Sequence, residues 1–104
     1  MVYVVERYLP GLVPSELERM LDRLDRAVEG LMREGLAVRH LGSTIVPGDE
    51  ACYCQFEAPS VAAVAEANRR AHAPFDRIVA AVSLLPVCTR QQHVDRIPTE
   101  GGES

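Results

Sequence analysis

Cys52 and Cys54 stand one residue apart in the stretch DEACYCQFEAPS, Asp49 to Ser60. Two thiols at that spacing are metal ligands, a redox pair, or small apolar side chains turned into a core. Ahead of them, His40 offers an imidazole, while Glu6 and Glu57 offer carboxylates. Together those three could hold a divalent ion or form a base–carboxylate pair. His72 follows a helical stretch beside Pro74 and reads as a surface or helix-end histidine. Cys88 and His93 have C-x4-H spacing, too little to define a metal site. The sequence contains no nucleotide-binding glycine loop, nucleophile elbow, H-E-x-x-H or C-x-x-C.

Chemistry from these residues depends on the elements that carry them. Val2 to Tyr8 is β-branched and aromatic and predicts a strand, stopped by Pro10-Gly11. Pro14 to Glu18 starts a helix, with Ser15 and Glu18 spaced as a capping box. Leu17, Leu21, Leu24, Val28 and Leu31 continue it as one apolar stripe, and Gly35 ends it. Val38 to Val46 and Ala51 to Glu57 form a hairpin across Pro47-Gly48-Asp49-Glu50. Ser60 caps a second helix from Val61 to Ala71, whose face of Val61, Val64, Ala65 and Asn68 is small. Arg77 to Leu85 supplies a fourth strand, with a short helix as the alternative. The order β-α-β-β-α-β predicts an α+β, ferredoxin-like fold: a four-stranded antiparallel sheet with two helices on one face. Residues 1–85 form that domain, and 86–104 form a polar extension with a disordered end. The uncovered sheet face predicts a homodimer.

An even-length hairpin loop sets the register. It pairs Ile45 with Cys52, Ser43 with Cys54 and Leu41 with Phe56, on the face that meets the helices. Cys52 and Cys54 are then core cysteines, with no basic neighbour to lower a thiol pKa. The opposite face pairs His40 with Glu57, Gly42 with Gln55 and Thr44 with Tyr53. With Val4 of the first strand on the open face, Glu6 joins it. This places a metal set of Glu6, His40 and Glu57 beside Tyr53 and Gln55 as further ligand-binding residues. A bulge or an odd-length loop would exchange the faces and bring the two cysteines, as soft ligands, into the site instead.

Composition narrows the partners. Fifteen acidic against eleven basic residues give a net charge of −4 and no basic stripe, which argues against nucleic acid. No segment has the roughly 18 apolar residues of a membrane span. MVYVVERY lacks the charged and apolar regions of a signal peptide, and three cysteines have no scaffold spacing, so a reducing cytoplasm is expected.

The segments RYLPG (Arg7 to Gly11), VRHLGST (Val38 to Thr44), DEACYCQFEAPS and EANRRAHAPFDRIV (Glu66 to Val79), in that order, resemble a family of small bacterial nickel-binding proteins. The resemblance spans residues 2 to about 85. It implies a ferredoxin-like fold, a homodimer with packed sheets (a dimeric α/β barrel), and binding of Ni²⁺ or a similar divalent ion. Imidazole and carboxylate also suit Zn²⁺, so nickel follows from the resemblance alone.

Three functions compete. The first is a small metal-binding dimer without catalytic activity. The second is a cofactor-independent enzyme or small-molecule binder of the dimeric α/β-barrel type, with His40, Tyr53 or Glu57 as acid or base. It requires an enclosed, partly apolar pocket reaching those side chains. The third is a structural dimer whose open face is simply its interface.

Overall fold

The structure is a computed structural model and describes residues 1–82 and residue 84. Its elements are β1 (Val2–Tyr8), α1 (Pro14–Arg33), β2 (Arg39–Val46), a 3-10 turn (Pro47–Asp49), β3 (Ala51–Glu57), α2 (Val61–Arg70) and β4 (Arg77–Ala81). The sheet order is β2-β3-β1-β4, antiparallel throughout. This is the ferredoxin-like arrangement expected from the element order. The fourth strand stops at Ala81, short of the expected Leu85. The expected extension, residues 86–104 with Cys88 and His93, lies outside the described residues. Among the described residues, no helix is long and apolar enough to cross a membrane.

Strand alternation decides which side chains are available for chemistry. In β1, Tyr3, Val5 and Arg7 point to the helices and are buried, whereas Val2, Val4, Glu6 and Tyr8 point away. In β3, Cys52, Cys54 and Phe56 are buried between them. Met20, Leu24, Val28 and Leu31 of α1 close the core from above, with Leu17 and Leu21 partly buried at its edge. Met20 joins the expected leucine stripe because it lies one turn before Leu24, on the same side. The second helix buries Ala63, Val64, Ala67 and Asn68. Val61, expected on that face, is instead exposed at the first turn, and Ala65 is half-buried. Small residues let this helix lie close to the sheet, and Asn68 Nδ2 bonds back to the Val64 carbonyl at 2.8 Å.

The helix ends follow local rules. Pro14 occupies the first position of α1, where its fixed φ is already helical and its missing N–H costs nothing. The helix therefore starts after Val13 with no side-chain cap, and the expected Ser15–Glu18 box does not form. Gly35, at φ 92, ends α1: Leu36 N–H donates to Leu31 O at 2.9 Å and Gly35 N–H to Met32 O at 3.0 Å. At the second helix, Ser60 Oγ accepts from Ala63 N–H at 3.2 Å, as expected of an N-cap.

His72 ends α2 in the left-handed region, at φ 52, with its N–H on Arg69 O at 3.1 Å and Ala73 N–H on Asn68 O at 3.0 Å. That is the same closing motif with a histidine where glycine fits better. His72→Gly is expected to stabilise the fold by up to about 1 kcal/mol, read as a higher denaturant midpoint with an unchanged slope. A lower midpoint would show that the imidazole has a stabilising role.

Candidate functional site

The hairpin places the candidate residues, and it contains a bulge. Ile45 pairs with Cys52, Thr44 with Tyr53, Ser43 with Cys54 and Gly42 with Gln55, as expected, and Val46 pairs with Ala51. Leu41 is then left unpaired, so His40 faces Phe56 and Arg39 faces Glu57. The expected pairs Leu41–Phe56 and His40–Glu57 do not form. One extra residue on the edge strand moves His40 from the open face to the helix face.

This separates the ligand set read from the sequence. Glu6, Tyr53, Gln55 and Glu57 do share the open face, since Tyr53 opposes Glu6 and Gln55 opposes Val4. His40 has left it. Both carboxylates there are held by guanidinium groups: Arg77 Nε reaches Glu6 Oε1 at 2.9 Å, and Arg39 Nη1 reaches Glu57 Oε1 at 2.9 Å.

On the helix face, by contrast, polar groups converge. The His40 ring stacks on Phe56 with centroids 4.9 Å apart. His40 Nδ1 meets Asp25 Oδ1 of α1 at 3.0 Å, and Nε2 meets Ser43 Oγ at 3.0 Å. Ser43 Oγ donates to Cys54 Sγ at 2.9 Å, and Cys52 Sγ lies 3.7 Å from Cys54 Sγ. Arg7 lies opposite Cys52 on β1, 2% exposed. Its Nη1 donates to Pro74 O at 3.0 Å, but among the described residues its Nε and Nη2 have no hydrogen-bond partner. The expectation that no basic group lies near the cysteines is therefore corrected, because Arg7 and the re-aimed His40 both do.

The hydrogen-bond directions along this chain favour a charged ring. The single Ser43 proton goes to Cys54, so His40 Nε2 must donate to Ser43 Oγ. The Asp25 carboxylate accepts, so Nδ1 must donate as well. An imidazole donating from both nitrogens is charged. A sulfur that accepts at the end of such a chain is favoured in its thiolate form. The titration shifts run the same way. The Cys54 sulfur, and after it Asp25, hold the His40 pKa above its usual value against the effect of burial. Hydrogen bonding from Cys52, then from His40 and Ser43, with the Arg7 charge, pulls the Cys54 thiol well down despite burial. Cys52 is pushed up, first by its bond to Cys54 and then by desolvation, and stays a thiol. Arg7 and His40 carry two positive charges; Cys54 and Asp25 carry two negative ones. The charges balance across the cluster, with Arg7 and the cysteines buried and Asp25 at its exposed edge.

The imidazolium is stabilised by folding, so this contribution is complete below the unfolded pKa of about 6.5 and is lost as pH rises through the elevated folded value. Asp25→Asn is expected to lower the His40 pKa in an NMR titration of the metal-free protein. An unchanged pKa would mean that Asp25 does not hold the ring.

Sequence reasoning missed Asp25, which sits beside the Leu24–Val28 stripe and becomes relevant only once the bulge turns His40 toward α1. Among the described residues, no three His, Cys, Asp or Glu side chains are already grouped around a metal position. A cleft of about 280 Å³ opens beside the cluster, walled by Leu12, Val13, Leu17, Ile45, Pro47 and Cys52 among others. Its walls do not include His40, Tyr53 or Glu57, the acid–base residues the small-molecule reading requires.

A family described as "Nickel responsive protein SCO4226-like" matches residues 3–80. The crystal structure of SCO4226 from Streptomyces coelicolor A3(2) has a similar fold, with a TM-score of 0.68 at 19% identity, over 81% of this chain and 100% of that one. No curated protein matches.

Proposed function

Since this chain belongs to the SCO4226-like nickel responsive protein family, we propose that it binds Ni²⁺, or a similar borderline divalent ion such as Zn²⁺, through His40 and the two cysteines of β3. The observation that carries this reading is the donor set on the helix face. An imidazole nitrogen and a thiolate, bridged by one serine hydroxyl, are ligands for a borderline or soft ion. Two thiolates bound at about 2.3 Å in a tetrahedral site stand about 3.8 Å apart, and Cys52 and Cys54 hold their sulfurs at 3.7 Å. The ion supplies only its charge and coordination preference; the protein's groups prepare the rest. Asp25 holds the ring from Nδ1 so that Nε2 points inward, the outer-shell arrangement common to metal-binding histidines. Ser43 turns its hydroxyl aside. Arg7 offsets the second thiolate when Cys52 loses its proton.

Glu6 and Glu57, the carboxylates proposed from the sequence, are less suited, because each would have to leave an arginine first. Their face, with Val2, Val4, Val79, Tyr53 and Gln55, serves instead as the surface on which a second copy packs, giving a cytoplasmic homodimer.

Binding must release the Nε2 and Cys52 protons, about two per ion, because Cys54 is already ionised. Calorimetric titration of reduced protein with Ni²⁺, in buffers of differing ionisation enthalpy, measures that number directly. Saturable binding with one ion per protomer and about two protons released is expected. No saturable binding overturns the reading.

A further inference from the structure

We propose that the cleft between the start of α1 and the β2–β3 hairpin turn binds a small amphiphilic amine, an apolar body carrying one ammonium group. This goes beyond the ion-binding reading and holds for the metal-free protein.

Burial divides the cleft into an apolar interior and a charged rim. Among its walls, Cys52 is buried and Leu9, Leu12 and Leu17 are half-buried, whereas Ile45, Pro47 and Glu50 are exposed at the mouth. Among the described residues that form these walls, Glu50 carries the one charge. The volume of about 280 Å³ is close to the lower end of small-molecule pockets and suits a body of about ten non-hydrogen atoms. Val13 and Ile45 leave 46% and 40% of their surface to water, apolar area that such a molecule covers.

Glu50 also holds the two walls together. Its backbone carbonyl accepts from Leu9 N–H at 2.7 Å, and its Oε2 accepts from Gly11 N–H at 3.0 Å. Its own N–H donates to Pro47 O at 3.0 Å. One residue thus ties the β1–α1 loop, which carries Leu9, Leu12 and Val13, to the hairpin that carries Ile45 and Pro47. Its φ of 51 lies in the left-handed region, which a glutamate rarely adopts. With Oε2 bonded to Gly11, the carboxylate keeps Oε1 for a donor at the mouth. The positive end of α1 opens beside the cleft, and Glu16 in its first turn offsets it. An ammonium at the rim therefore meets opposite charge, whereas a carboxylate on the same body meets like charge. Because this ion pair is exposed, it orients and selects the ligand, and most of the affinity comes from covering apolar surface.

The experiment titrates full-length, metal-free protein with phenethylamine, phenethyl alcohol and phenylacetate, followed by backbone amide chemical shifts. Saturable shifts confined to residues 9–17 and 45–52 are expected, with a Kd for the amine below about 1 mM. The amine should bind at least about threefold more tightly than the alcohol, and phenylacetate more weakly than either. Glu50→Gln keeps an acceptor for Gly11 and should erase the difference between amine and alcohol, leaving the alcohol within about twofold. Ile45→Lys changes an exposed position, so the fold should persist, and its own ammonium at the mouth should weaken the amine at least about fivefold. Equal affinities for amine and alcohol in the parent overturn the proposal. So do shifts scattered outside these segments, or none at about 10 mM amine, as when a second copy fills the cleft. Because nickel is absent throughout, this result and the ion-binding reading stand or fall separately.

Discussion

Cys54→Ser is expected to weaken Ni²⁺ binding at least about 100-fold, equivalent to about 2.7 kcal/mol. Serine keeps the size of the buried side chain and can still accept from Ser43, so the fold should persist. What it lacks is a sulfur that stays anionic beside His40 and Arg7. An alkoxide is not available near neutral pH, and a neutral hydroxyl is a poor donor to a borderline ion. Glu57→Gln provides the comparison. It removes a carboxylate from the open face, where Glu57 is paired with Arg39 at 2.9 Å. Its affinity should stay within about twofold of the parent, since a neutral amide keeps the shape and loses only an exposed ion pair. The reverse pattern, with Glu57→Gln weak and Cys54→Ser intact, would move the site to the open face.

Phe56→Ala should have the largest effect on stability. Phe56 is fully buried at the centre of the core and its ring carries the stacked imidazole of His40. Losing a buried aromatic ring costs about 3–5 kcal/mol, which includes the cavity left behind. For a domain of this size that corresponds to a fall in Tm of roughly 15–30 °C. Such a loss is a large share of the roughly 5–15 kcal/mol a small domain has in total. Thermal unfolding of the metal-free variant reads it directly. A loss below about 1 kcal/mol would mean that the core between β3 and α1 is not packed as described. Phe56→Leu fills most of the cavity and should recover much of the stability, yet it offers no ring for His40 to stack on. Nickel affinity should therefore stay reduced in the leucine variant, which separates positioning of the ligand from support of the fold.

Most of the architecture was legible because its signals are local. The leucine spacing of α1, Gly35 at its end, Ser60 at the start of α2 and the alternation of β1 and β3 each follow from one residue and its near neighbours. The hairpin register was also legible as far as Gly42. It then failed at Leu41, and one residue is enough to move His40 through the sheet. No propensity marks a bulge at that position apart from a glycine in mid-strand, and Gly42 also fits an ordinary pair with Gln55. The candidate site depended on this detail. Asp25 and Arg7 were hidden for a related reason. A charged residue at the edge of an apolar stripe, or near the end of a strand, reads as solvated until its partner across the core is known. Arg7 is the sharper case. Beside Glu6 in the sequence it looks like half of a surface pair, yet Glu6 turns outward to Arg77 and Arg7 turns inward to the cysteines.

The proposal that the cysteines of β3 hold the ion is tested most directly by X-ray absorption at the nickel edge on the loaded, reduced protein. Two sulfur neighbours at about 2.3 Å with nitrogen at about 2.0–2.1 Å, distances characteristic of thiolate and imidazole ligands, are the expected result. A shell of nitrogen and oxygen alone would contradict it and place the ion away from Cys52 and Cys54.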